Sequence, residues 1–409
     1  MTPKIDLFGS AFKADPHPTY AALRTDEPLH RREGYDGRAA MWFVTRYEEV
    51  VAILRDHKRF VKDVRQTLTA EQRAAAPPAP ELIELLSNHM LNLDPPNHTR
   101  LRGLVNKAFT AAVVQRMEPR IQTIADGLID KVLRRGQMDL IDDYAFPLPI
   151  TVIAELLGIP PRDRLRFRNW SHAFVTPSAN LQRNRQKFEK TGQIMADFTG
   201  YLQQIFAERR AEPREDLISS LIQAEEADDK LSEQELFSMM ILLIVAGHET
   251  TVNLIGNGLL TLLQHPMQLA QLQADPALLP VAIEELIRFE GPVERATMRF
   301  AAEDVELSGC TIHRGDGVSL VLAAADRDPA HFAQPDTLEI TRANNRHLGF
   351  GLGIHYCLGA PLARLEGQIA IGTLLRRLPN LRLTVPLEKL RWRTVPILRG
   401  VQHLPVAWG

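Results

Sequence analysis

Phe350-Gly-Leu-Gly-Ile-His-Tyr-Cys357-Leu-Gly359 is the stretch from which the rest of the chain is best read. Three glycines in ten residues let the backbone turn tightly or lie flat against something. A helical pattern begins directly after Cys357, with Pro361 tolerable in its first turn, so the cysteine is predicted at a helix N-terminus. There the helix dipole and unsatisfied N–H groups favour a thiolate. Three readings fit these residues: a buried structural cysteine, a nucleophile with His355 as its base, or a thiolate ligand to an iron whose other ligands come from a macrocycle.

The second informative segment lies about a hundred residues upstream. Ser232-x-x-Glu235 has the form of a capping box, and a helical pattern then runs on until His265-Pro266 stops it. Such a helix is about 50 Å long at about 1.5 Å per residue. Residues 239–246 are apolar on every face, which predicts burial all round. Gly247-His248-Glu249-Thr250-Thr251 follows in mid-helix, and a carboxylate and two hydroxyls are costly there unless they have partners.

Composition limits the alternatives. The chain has 409 residues and a formal net charge of −2, a balance that does not suggest a nucleic-acid binder. Two cysteines, Cys310 and Cys357, exclude a disulfide framework and any all-cysteine zinc or iron–sulfur site, which needs about four thiolates. No signal peptide is visible, and the longest apolar run is less than half of the roughly 20 residues a spanning helix needs. A soluble, cytoplasmic protein with no membrane partner is expected. No repeat or linker divides the sequence, and residues 74–80 read as a surface loop. The expected architecture is a single domain over 1–409, mainly α with a smaller β-rich portion. The β-rich parts are predicted near 38–45, 299–324 and 393–408, and the helical bulk near 97–290 and 358–378, with a further helix at 46–55.

Phe350-Gly351-x-Gly353-x-His355-x-Cys357-x-Gly359 resembles the haem-binding signature of the cytochromes P450, the haem-thiolate monooxygenases. Ala246-Gly247-His248-Glu249-Thr250-Thr251 resembles that family's acid–alcohol pair in a long central helix. Glu285-Leu-Ile-Arg288 matches its Glu-x-x-Arg motif in the correct order between the other two. The similarity runs from about His98 to the C-terminus and is closest to the soluble bacterial type. It implies the P450 fold, with the long helix over haem b and O2 as co-substrate.

The resemblance assigns roles by position. Cys357 is implied as the iron ligand, a thiolate whose electron density favours O–O cleavage. Phe350 would shield the sulfur, and Gly351 and Gly353 would admit the porphyrin edge. His98, Arg102, Arg299 and His355 match donors to the haem propionates. Thr250 and Glu249 are implied to deliver protons, with Glu249 connecting to bulk solvent, while small Ala246 and Gly247 leave room for oxygen. Glu285 and Arg288 read as structural. The family often adds an Arg within a Pro-x-Arg-Phe pattern, but Pro335-Asp-Thr-Leu338 places Thr337 there, so that third partner is unassigned.

Substrate selectivity is implied to lie in residues 65–92, 174–185, 293–297 and 396–399. They mix apolar Leu91, Phe174, Val293, Ile397 and Leu398 with polar Asn180, Gln182 and Glu294, as expected for a mainly hydrophobic organic molecule carrying some polar groups. The sequence after the haem segment is too short for a flavin or iron–sulfur domain. Electrons are therefore expected from a ferredoxin or flavodoxin with an NAD(P)H-dependent reductase. Arg100, Lys107 and Arg364 could form a basic docking patch for it, or simply a solvated charged surface. Two rival activities are a peroxide-driven peroxygenase, which tends to replace the acid–alcohol pair, and a non-enzymatic haem-binding sensor, which would be expected to lose Cys357 or Thr250. Both features are present.

Overall fold

The computed structural model describes residues 5–34, 39–76, 84, 87–164, 166–167, 169–170, 185–226 and 229–409. Phe174, Asn180 and Gln182, together with parts of the 65–92 and 74–80 stretches, lie outside the described residues. The chain divides into two compact units. One comprises Met1–Ala75, Ala125–Ala145 and Thr250–Gly409; the other comprises Ala76–Ile124 and Phe146–Glu249.

The second unit is helical, built from Asn97–Ala108, the first part of Ala111–Val132, Pro147–Leu156, Arg185–Ala211, Leu217–Gln223 and the first half of Glu233–Gln264. The last of these starts as its sequence dictates. Ser232 Oγ accepts from the Glu235 N–H at 3.2 Å, and Glu235 Oε2 accepts from the Ser232 N–H at 2.9 Å, closing the capping box. The helix ends at Gln264, because Pro266 opens the next helix, Pro266–Ala274. It is long and apolar enough to cross a membrane, and 72% of its most apolar window is buried inside the protein. Burial all round is not what 239–246 shows, however. Leu243 and Val245 are partly open and Ala246 is exposed. Leu243, Ala246, Gly247 and Thr250 share one face at helical spacing, so this face is apolar without being packed.

The first unit carries the sheets. A five-stranded sheet has the order Leu29–Glu33, Ala40–Val44, Gly317–Leu320, Arg299–Ala301 and Phe60–Val61. Ala40–Val44 pairs parallel to Gly317–Leu320, with Trp42 opposite Val318, and the other pairs are antiparallel. Trp42, Val44, Val318 and Leu320 are buried beneath Val50, Ile53 and Leu54 of the Tyr47–Arg55 helix. The β region predicted over 299–324 thus contains four strands, two of them the hairpin Val305–Leu307 and Cys310–Ile312, turned by Ser308 and Gly309 at positive φ. The tail contributes only Pro405–Ala407, which pairs with Arg382–Leu383 and with Gln137–Asp139. Leu29–Glu33, Phe60–Val61 and Gln137–Asp139 have no clear alternation and were invisible in the pattern.

Candidate functional site: the cysteine loop and the central helix

The loop around Cys357 is held by its own backbone and by a neighbouring helix. The Cys357 N–H donates to the Phe350 carbonyl at 2.9 Å, the Gly351 N–H to Leu348 O at 2.7 Å, and the Tyr356 N–H to Gly353 O at 3.1 Å. Gly351 and Gly353 sit at φ +70° and +76°, and a Cβ on Gly353 would lie 2.5 Å from the Leu54 carbonyl oxygen. Only glycine fits this path. The helix Ala360–Arg377 begins three residues after the cysteine, with a proline in its first turn. Phe350, Gly351, His355 and Cys357 are thereby brought together on one loop, each partly accessible.

Two adjacent glutamates on the Leu279–Glu290 helix anchor what surrounds this loop. Glu284 receives Arg364 at 2.7 and 2.8 Å and faces His347 Nε2 at 3.1 Å. Burial opposes its ionisation, yet Arg364 and His347 hold its carboxyl down at about 2. The Arg364 guanidinium also lies 4.4 Å from the centre of the Phe350 ring. Next to it, Glu285 is fully buried and takes Arg288 at 2.7 and 2.8 Å. The missing third partner is Arg342, whose Nε lies 3.1 and 3.2 Å from the two Glu285 oxygens. Thr337 contributes a backbone carbonyl instead, accepting from Arg288 at 3.3 Å and from Arg342 at 3.0 Å. Arg342 was not recoverable from spacing, because the path of the intervening loop decides which cation arrives. Buried Asp326 accepts the Leu348 N–H at 2.7 Å, and burial pushes its carboxyl up to about 7.

The other predicted site residues fall in both units. Arg299 is buried on its strand, where its Nη1 donates to Thr297 O at 3.3 Å. His98 is buried and Arg102 partly accessible, one turn apart on the Asn97–Ala108 helix. On the central helix Thr250 is partly accessible, on the open face described above. Glu249 is buried, its side chain 3% exposed, and its Oε2 lies 3.8 Å from His248 Nε2. At mid-helix its neighbours cover it. His248 is fully buried and uses Nδ1 to meet the Ile244 carbonyl at 2.7 Å.

One acidic residue of this region escaped the sequence reading. Glu366, nine residues after Cys357, is buried, and neither oxygen has a hydrogen bond of normal geometry among the described residues. Burial pushes its carboxyl up to about 8, and the Thr251 hydroxyl offsets this only in part. The basic patch also changes. Arg100 is ion-paired with Glu235, and Arg364 with Glu284, which leaves Lys107 as the exposed member of the three.

These residues suit a haem. Among the described residues, the one cluster of three metal-ligating side chains is Asp139, Asp142 and His403, which does not include Cys357. The unit that carries Cys357 offers iron one soft sulfur, on a loop whose path only glycine fits, together with buried Arg299 as a donor suited to a carboxylate.

The cytochrome P450 family model matches residues 164–389. The chain is 46% identical over 411 residues to the cytochrome P450 monooxygenase PikC of Streptomyces venezuelae, covering 99% of this chain and 94% of that one. It is 45% identical over 409 residues to the vitamin D(3) 25-hydroxylase of Pseudonocardia autotrophica, covering 100% and 97%. Among solved structures, the Bacillus subtilis bacillaene polyketide synthase cytochrome P450 PksS superposes with a TM-score of 0.91 at 40% identity, covering 99% and 100% of the two chains. The chain belongs to the cytochrome P450 family. The P450 fold, haem b and the use of O2 for monooxygenation come with that membership, and the chain is an oxidoreductase of this class. Bacterial members of the family need redox partners and bind hydrophobic substrates.

Proposed function

We propose that this P450 inserts one oxygen atom of O2 into a mainly hydrophobic organic substrate by hydroxylation or epoxidation, the whole chain acting as one catalytic domain in the cytoplasm. The second oxygen leaves as water, with two electrons from a ferredoxin or flavodoxin and two protons. The observation that carries this reading is the single cysteine on its glycine-bound loop. Cys357 would ligate the iron, Phe350 and Gly351 would shape the thiolate side, and His98, Arg102, Arg299 and His355 would hold the propionates. When bound, the haem supplies the activation of dioxygen.

This chain's own residues supply protons and a binding wall. Thr250 holds a hydroxyl on the open face of the central helix, beside small Ala246 and Gly247, where it can position a proton donor. Glu249, buried against His248, replenishes that proton and needs a local opening to exchange with solvent. Residues 293–297 and 396–399 form part of the substrate wall. Val293 is partly open and Ile397 37% exposed, whereas Glu294 and Arg399 turn inward. The hydroxylase of vitamin D(3) among the relatives supports a substrate of that size and polarity class.

The test is the carbon monoxide difference spectrum of the dithionite-reduced protein. A strongly red-shifted Soret band is expected, lost in Cys357→Ser with the fold retained; an unchanged band in that variant overturns the assignment. Thr250→Ala is expected to release peroxide in place of product. Tightly coupled turnover in that variant would assign proton delivery elsewhere.

A further inference from the structure

Three fully buried charges lie behind the proposed substrate wall. Lys13, on the short helix Ser10–Ala14, has no exposed surface, and neither does Glu294, which accepts its ammonium at 2.5 Å. Burial lowers the lysine pKa and Glu294 works against that shift. The same ammonium donates to the Leu398 carbonyl at 3.2 Å. Arg399, 4% exposed, returns the contact by donating to the Lys13 carbonyl, and its Nε pairs with Glu290. The two wall segments are joined directly as well. The Glu294 N–H donates to Ile397 O at 2.9 Å, the Arg399 N–H to Pro292 O at 3.0 Å, and Val293 bridges Leu398.

The cluster extends outward without loosening. Tyr20 donates to Glu294, and Arg295 reaches Glu294 at 3.0 Å and the Tyr20 hydroxyl at 3.2 Å. His17 meets Glu290 at 3.0 Å. The cavity bounded by His17, Glu290, Gly291, Val293 and Arg399 is about 10 Å³, close to the space of a single water. No ligand fits there, so the cluster acts through what it holds. Ion pairs this deep contribute little net stability and tend to fix one arrangement.

We infer that Lys13 is a positioning residue: through Glu294 and the Leu398 carbonyl it fixes segments 293–297 and 396–399 against each other, and so sets which substrates fit. The N-terminal helix thus acts on selectivity from about 280 residues away in sequence. This rests on the reading that those segments face the substrate.

The experiment uses full-length haem-loaded protein and two iron-binding probes, imidazole and 4-phenylimidazole, read by the Soret shift. Imidazole reports the iron alone, whereas the phenyl group must also fit between the walls. Lys13→Met is expected to shift the ratio of the two affinities by about tenfold against 4-phenylimidazole. Lys13→Arg is expected to restore it, and Lys13→Met itself leaves Glu294 paired with Arg295 at 3.0 Å, so the altered ratio is read in a stably folded background. Hydrogen exchange at the Glu294 and Arg399 amides should quicken in Lys13→Met ahead of the rest of the sheet. Ile397→Ala tests the wall reading separately. If Ile397→Ala changes the ratio and the Lys13 variants do not, the wall stands and the positioning role is overturned. If Ile397→Ala also leaves the ratio unchanged, both fall.

Discussion

Glu285 and Glu366 are two buried carboxyls on neighbouring helices of the same unit, and they are treated in opposite ways. Glu285 collects Arg288, Arg342, the Glu339 N–H at 3.0 Å and Asn345 Nδ2 at 3.2 Å. Glu366 has no partner of normal geometry, and its carboxyl rises to about 8. The first, surrounded by its donors, ties a helix to the loop leading into the cysteine segment. The second is kept neutral near pH 7 by burial alone. Equal burial is thus met by several donors at one carboxyl and by almost none at the other.

The sharpest way to break this contrast is Glu285→Ala. It strands two buried guanidinium groups and should cost roughly 3–5 kcal/mol, read by denaturant unfolding. If Glu366→Ala costs as much, partner count is not what distinguishes the sites. A second test uses pH. A carboxyl raised from 4.5 to about 8 contributes stability that is fully present below pH 4.5 and lost as pH rises toward 8. Wild type minus Glu366→Gln should isolate a loss on the order of a few kcal/mol across that window. A flat difference would mean the carboxyl is already ionised. Arg342→Leu leaves Glu285 with Arg288 and should cost about 2 kcal/mol by the same unfolding assay. Finally, Thr251→Val removes the hydroxyl that offsets the Glu366 shift, and should move the upper end of the pH window upward by less than about one unit.

Which features were legible follows from how local their causes are. The cysteine loop and the capping box at Ser232 are each determined by a few adjacent residues, and each stands where its pattern put it. The pairing of Glu285 with Arg288 is one helical turn apart and was equally readable. Arg342 and Lys13 were not readable, since each meets its partner through a loop path or across more than half the chain.

The parallel pairing of Ala40–Val44 with Gly317–Leu320 has a consequence for how the chain is made. On a ribosome moving at roughly 5–20 residues per second, Met41 waits on the order of 15–55 s before its partner strand is synthesised. During that interval one edge of Ala40-Met-Trp-Phe-Val44, an apolar strand, is available to other nascent chains. Its preceding neighbour Leu29–Glu33, with His30, Arg31 and Arg32 in the middle, can zip onto one edge at once and supplies charge there. The local hairpin thus shields one edge of Ala40–Val44 during translation, and the distant strand, central in the finished sheet, covers the other.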